Sequence, residues 1–328
     1  MIIEVNEASQ VASARRAAAM LAHDERFDED RTGRVALVAT ELATNLVKYG
    51  RSTGRLIIGR YADSTGAGVE LISIDKGPGI PNIDHAMEAG SSTTGTMGAG
   101  LPGIRRQSDA FDIYSRDGKG TAVMARIASG APATVAGDIL IGAICRPIRG
   151  ETVCGDQWSF ALTSGGPTLM LTDGSGHGLA AEAAAKLSVE TFIGNRDEPL
   201  PRIMELMHRA LQPTRGAAVS LARLDQSEGL IRFVGVGNVA GRVVSAGVPQ
   251  SMVSNNGIVG HIASRIREFT YRMVQPTMVV LHSDGLSARW EFGDYPGLAF
   301  SHPSLVAGVL FRDFARDRDD ASVVALRI

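Results

Sequence analysis

The chain has 328 residues, a length that fits two domains of ordinary size better than one hydrophobic core. Apolar residues make up 44% of it and charged residues 21%, which is the composition of a globular protein and excludes wholesale disorder. The formal net charge of −2 provides no basic excess to neutralise phosphates, so we expect no nucleic-acid partner.

Targeting and redox signals are weak. The two cysteines, Cys145 and Cys154, are spaced neither as a metal-binding pair nor as a disulfide framework. The first ten residues lack the charged and apolar regions of a signal peptide, and the most apolar internal stretch is short and contains Asp138. We therefore predict a cytoplasmic protein with no membrane partner.

The N-terminal part predicts a strand, two helices and two further strands, in that order. Strand IIEV is followed by Ser9 as the predicted N-cap of the first helix. The second helix carries an apolar stripe and ends at Gly50. The stripe consists of Val35, Val38, Leu42 and Leu46. RLIIGRYA and GVELISID are typical of strands, and the second leads into a glycine-rich turn.

A segment of small residues over 129–136 predicts a linker between a domain at 1–128 and a domain at 137–328. The second domain contains strand-like apolar runs at DILIGAICRPI, TLMLTD, AAVSLARL, LIRFVGVG, TMVVLHSD and ASVVALRI. An alanine-rich helix follows HGLAAEAAAKL. This order favours a β-rich α+β layer structure.

Glu41 and Asn45 are four residues apart on the second predicted helix, so their side chains share one face. An amide oxygen can hold the Mg²⁺ of a bound nucleotide, and a carboxylate can accept the proton of a substrate hydroxyl. Taken alone, such a pair is usually a solvated helix edge. Its meaning depends on the motifs that follow it.

Asp75 follows a strand, and Gly77 and Gly79 supply backbone without a Cβ where a ligand approaches. Gly98 and Gly100 lie before a basic helical turn, where free backbone N–H groups can bind phosphate. The glycine spacing matches neither a P-loop nor a dinucleotide-binding fold. Ordinary turns explain most glycine-rich loops. The assignment of a nucleotide site therefore depends on the order of the motifs along the chain.

The ordered motifs ELATN, DKGPGIPNI, STTGTMGAGLPGIRR and GKGTAV resemble the GHKL ATPase family, and within it the RsbT-like anti-sigma-factor and stressosome switch kinases. The resemblance covers nearly all of residues 1–127 and implies a GHKL (Bergerat) α/β sandwich that binds ATP and Mg²⁺. It implies that Glu41 is the catalytic base and Asn45 the Mg²⁺ ligand. The implied nucleotide-binding residues are Asn45, Asp75, Gly77, Gly79, Gly98, Gly100 and Thr121.

Aspartates follow several separate apolar strands of the second half. They are Asp156, Asp173, Asp284, Asp319 and Asp320. If these strands share a sheet, the carboxylates converge and repel one another unless cations neutralise them. Oxygen-rich sites suit Mg²⁺ or Mn²⁺, and two such ions can support hydrolysis of a phosphate ester.

The ordered motifs GD, DGSGHG, SDG and DDAS resemble the metal-dependent protein phosphatase family (PPM), in its SpoIIE/RsbX-like branch. The resemblance spans roughly 136–328 and implies a PPM-type αββα sandwich with two Mn²⁺ or Mg²⁺ ions. The implied metal ligands are Asp156, Asp173, the Gly174 carbonyl, Asp284 and Asp319.

Three positions near the implied metal site qualify this assignment. Asp320 is the alternative to Asp319 as the last ligand. His177 is assigned to hydrogen bonding within its turn. Gly155 stands where the wider phosphatase family has an acidic residue, which leaves the metal count open.

Together the two resemblances imply a bifunctional serine/threonine kinase and phosphatase acting on a STAS-domain protein, an anti-sigma antagonist or stressosome-type partner, in a bacterial partner switch. A sigma-factor pathway is the implied setting. Because unopposed cycling would only consume ATP, we expect nucleotide, partner or oligomeric state, such as a homodimer, to favour one activity at a time. The alternative is a phosphatase whose N-terminal domain is an ATP-sensing or protein-binding regulator. A non-catalytic scaffold is the third interpretation.

Overall fold

The computed structural model describes residues 1–88, 100–130, 138–262 and 265–328. Gly98 and most of the predicted linker, residues 131–136, lie outside these ranges. The chain divides into two compact units. The first comprises Met1–Ile141 and Ser304–Arg312, and the second comprises Gly142–Pro303 and Asp313–Ile328.

The first unit is a layer of helices on an antiparallel sheet. Its strands are β1 (Ile2–Glu4), β2 (Arg55–Asp63), β3 (Gly66–Ile74), β4 (Ala110–Arg116) and β5 (Gly120–Ala128). Its helices are α1 (Ala8–Asp24), α2 (Glu29–Tyr49), α3 (Ile83–Ala86) and α4 (Leu101–Gln107). The described strands are ordered β1-β2-β3-β5-β4 in the sheet.

The core of the first unit lies between this sheet and helices α1 and α2. The predicted stripe of α2 is buried in it, and the helix stops at Gly50 as predicted. Asp28 caps the helix start, because its side chain accepts a hydrogen bond from the Arg31 backbone N–H at 2.8 Å. This places Glu41 and Asn45 on the edge of α2, beside the buried stripe.

The expected N-cap of α1 was wrong. The cap is Glu7, and Ser9 lies inside the helix. The Gln10 side-chain oxygen accepts a hydrogen bond from the Glu7 backbone N–H at 3.0 Å. The backbone N–H of the N-cap residue thereby has a side-chain partner. The local pattern therefore identified the helix and misplaced its start by two residues.

A buried arginine fixes one side of the first unit. Arg126 contacts the carboxylates of Asp63 and Glu70, each at 2.6 Å. Ser304 also donates to Glu70, at 2.6 Å. Two acidic partners surround a charge that would be costly to bury alone, and they raise the pKa of Arg126 against the opposing effect of burial. The segment Ser304–Arg312 is therefore held to β3 by polar groups as well as by packing.

The second unit contains two five-stranded sheets in its described residues. Its strands are β6 (Leu140–Arg146), β7 (Asp156–Thr163), β8 (Gly166–Gly174), β9 (Ala217–Asp225), β10 (Leu230–Val236), β11 (Ala240–Ser245), β12 (Val248–Met252), β13 (Phe269–Arg272), β14 (Thr277–His282) and β15 (Ala321–Arg327). The helices are α5 (Leu179–Gly194), α6 (Leu200–Ala210) and α7 (Pro303–Phe314), the last of which contributes Ser304–Arg312 to the first unit.

One sheet has the order β13-β10-β9-β8-β7 and the other β12-β11-β14-β15-β6. Helices α5 and α6 pack on the first of these sheets through a cluster that includes Phe192, Met204 and Leu221, all fully buried. The predicted strands and the alanine-rich helix are all present. The chain crosses from one sheet to the other between β10 and β11. The turn at this crossing lies at the same end of the sheets as Asp173, Asp284 and Asp319.

Replacing Leu42 by Ala tests whether the α2 stripe holds the first unit together. Leu42 is only 1% exposed, so the truncation should leave a cavity and cost about 2–5 kcal/mol of unfolding free energy. Leu37→Ala on the same helix is the matched control, because Leu37 is 46% exposed. Urea unfolding followed by circular dichroism checks the pair, and equal midpoints for the two variants would contradict the assigned core.

Candidate ATP site and metal centre

A cavity of about 590 Å³ opens in the first unit between α2, the end of β3 and the start of α4. Glu41 and Asn45 line it from the helix, and Asp75 and Thr121 line it from the sheet. Gly79 and Gly100 also line it. The structure thus brings together residues that are up to 80 positions apart in the sequence. The size of the cavity suits a nucleotide.

Asp75 lines this cavity and is buried. Its Oδ1 atom accepts the backbone N–H groups of Gly77 at 2.7 Å and Thr121 at 3.3 Å. Burial raises the pKa of Asp75, and these two N–H groups partly oppose the shift. With Oδ1 satisfied by backbone, the other carboxylate oxygen can accept a hydrogen bond from a ligand amino group.

The glycines of the DKGPGI turn are required by neighbouring backbone. A Cβ on Gly77 would lie 2.2 Å from the Tyr49 carbonyl oxygen. A Cβ on Gly79 would lie 2.0 Å from the Arg116 carbonyl oxygen, and Gly79 also has φ +77. We expected these positions to permit close approach of a ligand. The structure gives a different reason, which is that the turn packs tightly against α2 and the end of β4.

Arg312 supports Asp75 from within the same unit, and sequence reasoning missed it. Its Nη1 atom donates to the Asp75 carbonyl oxygen at 3.1 Å, and the arginine is buried. The available signal was a lone cation within the apolar sequence of α7. Its partner is 237 positions away, so local patterns could not identify it.

Asp75→Asn tests the role of the open oxygen. The asparagine Oδ1 can still accept the two backbone N–H groups, so the pocket should keep its shape. Its amide nitrogen cannot accept a hydrogen bond from the adenine amino group, and we expect ATP affinity to fall about 10- to 100-fold. Isothermal titration calorimetry measures this, with exposed Asp84→Asn as the control. Equal ATP affinity in wild type and Asp75→Asn would refute the assignment.

A second cavity, of about 500 Å³, opens in the second unit. Asp173, Asp284 and Asp319 line it together with Asn238 and Asn256. Asp156 lies directly opposite Asp173 in the antiparallel register of β7 and β8. The strand ends thus bring the predicted aspartates to one end of the two sheets.

Asp156 is the most deeply buried of these carboxylates, being 2% exposed. Its Oδ2 accepts the Ser283 hydroxyl at 2.7 Å, whereas its Oδ1 is buried without a hydrogen-bond partner in the described part of the chain. A buried, unpartnered carboxylate oxygen is costly unless a cation or proton meets it. Asp156 therefore has an atom suited to a metal ion.

Asp319 and Asp320 have different environments. The Asp320 carboxylate accepts the backbone N–H groups of Ile148 at 2.6 Å and Gly155 at 2.7 Å. Asp319 lines the cavity instead. A Cβ on Gly155 would lie 2.8 Å from Asp320 Oδ2, so a larger or acidic residue cannot fit there without displacing it. Asp320 organises the loop, and this arrangement favours Asp319 as the ligand.

His177 is exposed and its Nδ1 lies 2.8 Å from Glu151 Oε1. His177 therefore joins its turn to the segment before β7, whereas we expected a hydrogen bond within the turn. Gly174 closes the strand end beside Asp173, where a Cβ would lie 2.2 Å from the Ala181 carbonyl oxygen. Only glycine allows α5 to begin so close to the acidic strand end.

The donor set suits a hard divalent cation. Within the described ranges, no group of three or more histidine, cysteine or acidic side chains is arranged to hold a metal ion, although three of the aspartates line one cavity. Burial and the neighbouring aspartates raise the pKa of Asp173 to about 9, and burial together with Asp320 and Asp319 raises that of Asp156 to about 7. Carboxylates that repel in this way fit Mn²⁺ or Mg²⁺.

Mn²⁺ should stabilise the protein more as pH rises from about 6 to about 9. The raised pKa values mean that the metal-free folded protein binds more protons than the unfolded chain, so its own stability decreases with pH in this window. Mn²⁺ competes with these protons for the carboxylates, so its affinity for the folded protein increases as the protons dissociate. Thermal unfolding with and without MnCl₂ at several pH values checks this. A Mn²⁺ increment that does not change with pH would argue against these carboxylates as the binding groups.

Comparison with known protein families now becomes informative. A model described as histidine kinase-like ATPase domain matches residues 5–127, and a model described as stage II sporulation protein E (SpoIIE) matches residues 163–328, just over half of the chain. The chain belongs to the SpoIIE family. Its N-terminal part is 37% identical over 115 residues to serine/threonine-protein kinase RsbT of Bacillus subtilis (strain 168), covering 35% of this chain and 86% of RsbT. That part belongs to the RsbT family.

Solved structures agree with the fold of the SpoIIE-family part. One, from work on the bacterial stressosome as a modular system adapted to control secondary messenger signalling, has a TM-score of 0.55 and 26% identity, covering 58% of this chain and 100% of that one. RsbX in complex with magnesium has a TM-score of 0.52 at 17% identity, covering 58% and 94%. At that identity RsbX supports the fold alone.

The predicted family resemblances and fold class are confirmed: a GHKL-type ATPase fold and a PPM-type phosphatase fold in one chain. The chain is an enzyme that combines a serine/threonine phosphatase domain with an RsbT-type serine/threonine kinase domain. Among the helices that the structure describes, none has the length and apolar character needed to cross a membrane.

Proposed function

We propose that this SpoIIE-family chain phosphorylates serine or threonine on a STAS-domain protein with one domain and hydrolyses such a phosphate with the other, acting in the cytoplasm as a partner switch. The observation that carries the proposal is the presence in one chain of two cavities, each lined by several of the predicted site residues. One joins a carboxylate, an amide and a buried aspartate, and the other joins several aspartates at one end of two sheets.

In the proposed kinase reaction, Glu41 accepts the proton of the attacking serine or threonine hydroxyl. The hydroxyl oxygen bonds to the γ-phosphorus of ATP while the bond from that phosphorus to the β–γ bridging oxygen breaks and ADP leaves. Asn45, one turn further along α2, lines the same cavity and holds Mg²⁺ through its amide oxygen. Asp75 and Thr121 recognise the adenine, and Gly77, Gly79, Gly98 and Gly100 shape the pocket and its lid. Gly98 lies outside the described residues.

In the proposed phosphatase, Asp156, Asp173, Asp284, Asp319 and the Gly174 carbonyl hold two divalent ions. Such ions activate water and neutralise the phosphoryl group when bound. The protein's own contribution is to bring the carboxylates together, where burial and mutual repulsion raise the pKa values of Asp156 and Asp173 and a bound cation would favour their ionised forms. The Ser283 hydroxyl orients Asp156 by donating to its Oδ2 atom. Asp319 lines the cavity, whereas Asp320 accepts two backbone N–H groups.

The STAS-domain partner and the sigma-factor setting are proposed from the likeness to RsbT and from the stressosome-related structure. The boundaries 1–128, 129–136 and 137–328 remain predictions, as does a homodimer. Because both activities on one target would cycle ATP without effect, we propose that nucleotide, partner or assembly state favours one of them at a time.

Two conservative variants separate the activities. Glu41→Gln should keep ATP binding and reduce phosphotransfer from labelled ATP to a STAS-domain partner by about 10²- to 10⁴-fold, because the proton acceptor is lost. Asp173→Asn should abolish Mn²⁺-dependent release of phosphate from the phosphorylated partner and leave phosphotransfer unchanged. Phosphoprotein gels and phosphate release measure the two rates.

The matched controls are Glu29→Gln, at the exposed start of the same helix α2, and Asp197→Asn, an exposed aspartate of the second unit. Both should retain wild-type rates. Absence of phosphotransfer in the wild type, with phosphatase activity intact, would support the regulator-only interpretation of the first domain. Equal rates in Asp173→Asn and wild type would overturn the metal centre.

A further inference from the structure

Asn238 lies in the turn where the chain passes from β10 in one sheet to β11 in the other. Its Nδ2 atom donates a hydrogen bond to Asp284 Oδ2 at 2.5 Å. Both residues line the acidic cavity. The amide of Asn238, in the turn between the two sheets, therefore binds the carboxylate of Asp284, which follows β14.

This turn is rigid and tightly packed. Gly237 has φ +97, and a Cβ there would lie 2.5 Å from the Ala218 Cβ. The Gly237 N–H donates to the Asn255 carbonyl oxygen at 2.9 Å, and Ser220 donates to the Val239 carbonyl oxygen at 3.0 Å. The residues on both sides of Asn238 are thus held by hydrogen bonds, and its exposed side-chain amide is directed to Asp284.

The chemistry of the pair suits a cation site. The amide occupies one oxygen of Asp284 and leaves the other free to face a metal ion. A neutral donor orients the carboxylate without cancelling its charge, whereas a lysine or arginine would compete with the cation. The hydrogen bond also opposes burial and Asp319, which both raise the pKa of Asp284.

We propose that Asn238 is a positioning residue that fixes Asp284 for metal binding and thereby sets the Mn²⁺ affinity of the cavity. The proposal rests on the proposed role of Asp284 as a ligand. Partners that orient a ligand from behind usually contribute 10- to 100-fold in metal affinity. Because this role acts through Asp284, it disappears when Asp284 can no longer act as a carboxylate ligand.

Mn²⁺ titration of the full chain by calorimetry tests this. We expect Asn238→Ala, and the similarly sized Asn238→Leu, to weaken Mn²⁺ binding about 10- to 100-fold. The metal-free thermal midpoint should stay near that of wild type, because Asn238 is exposed. Gln226→Ala removes an exposed amide of the second unit that is not among the residues lining the cavity, and it should leave Mn²⁺ affinity unchanged.

A double-mutant cycle shows whether the effect passes through Asp284. In the Asp284→Asn background, adding Asn238→Ala should cause no further loss of Mn²⁺ affinity. Wild-type affinity in both Asn238 variants, or an equal additional loss in the Asp284→Asn background, would overturn the positioning role. A wild-type chain that binds no Mn²⁺ would instead overturn the proposed metal centre itself, so the two failures are distinguishable.

Discussion

Repulsion among aspartates at the ends of two sheets is the constraint on which the second unit depends. Asp156 and Asp173 face each other across one strand pair, and both have raised pKa values because they are buried beside other carboxylates. Asp320 avoids the conflict by accepting two backbone N–H groups, and Gly155 leaves it room. Burial and mutual repulsion disfavour the charged forms of Asp156 and Asp173, and a divalent cation bound among the carboxylates would offset that repulsion.

The ATP cavity also depends on a buried carboxylate, that of Asp75. Backbone N–H groups satisfy one oxygen of Asp75, and the turn that supplies one of them can form only because Gly77 and Gly79 lack side chains. Asn238 and Asp284 repeat this arrangement with a side-chain donor. In both units, the protein binds one oxygen of a carboxylate, and the other oxygen is left to bind a ligand.

Much of this architecture follows from local sequence. The α2 stripe, the strands and the order of glycine and aspartate motifs predicted the elements and the family, because apolar periodicity and turn chemistry act over a few residues. Several of the predicted site residues line the two cavities, and their roles remain predictions. Ser9 was misassigned because the N-cap lies two residues earlier, at Glu7, whose backbone N–H is bound by the Gln10 side chain. Asn238 and Arg312 could not be found in this way, since their partners lie 46 and 237 positions away.

The central claim is that one chain adds and removes phosphate on one partner, and a time course measures this directly. A STAS-domain protein recovered with the chain is incubated with it, ATP and Mn²⁺, and intact mass spectrometry follows the phosphorylated fraction before and after ATP is removed with hexokinase and glucose. The account predicts that phosphate appears while ATP is present and disappears once ATP is consumed. A partner that never gains phosphate, or that keeps it after ATP removal, would contradict the account.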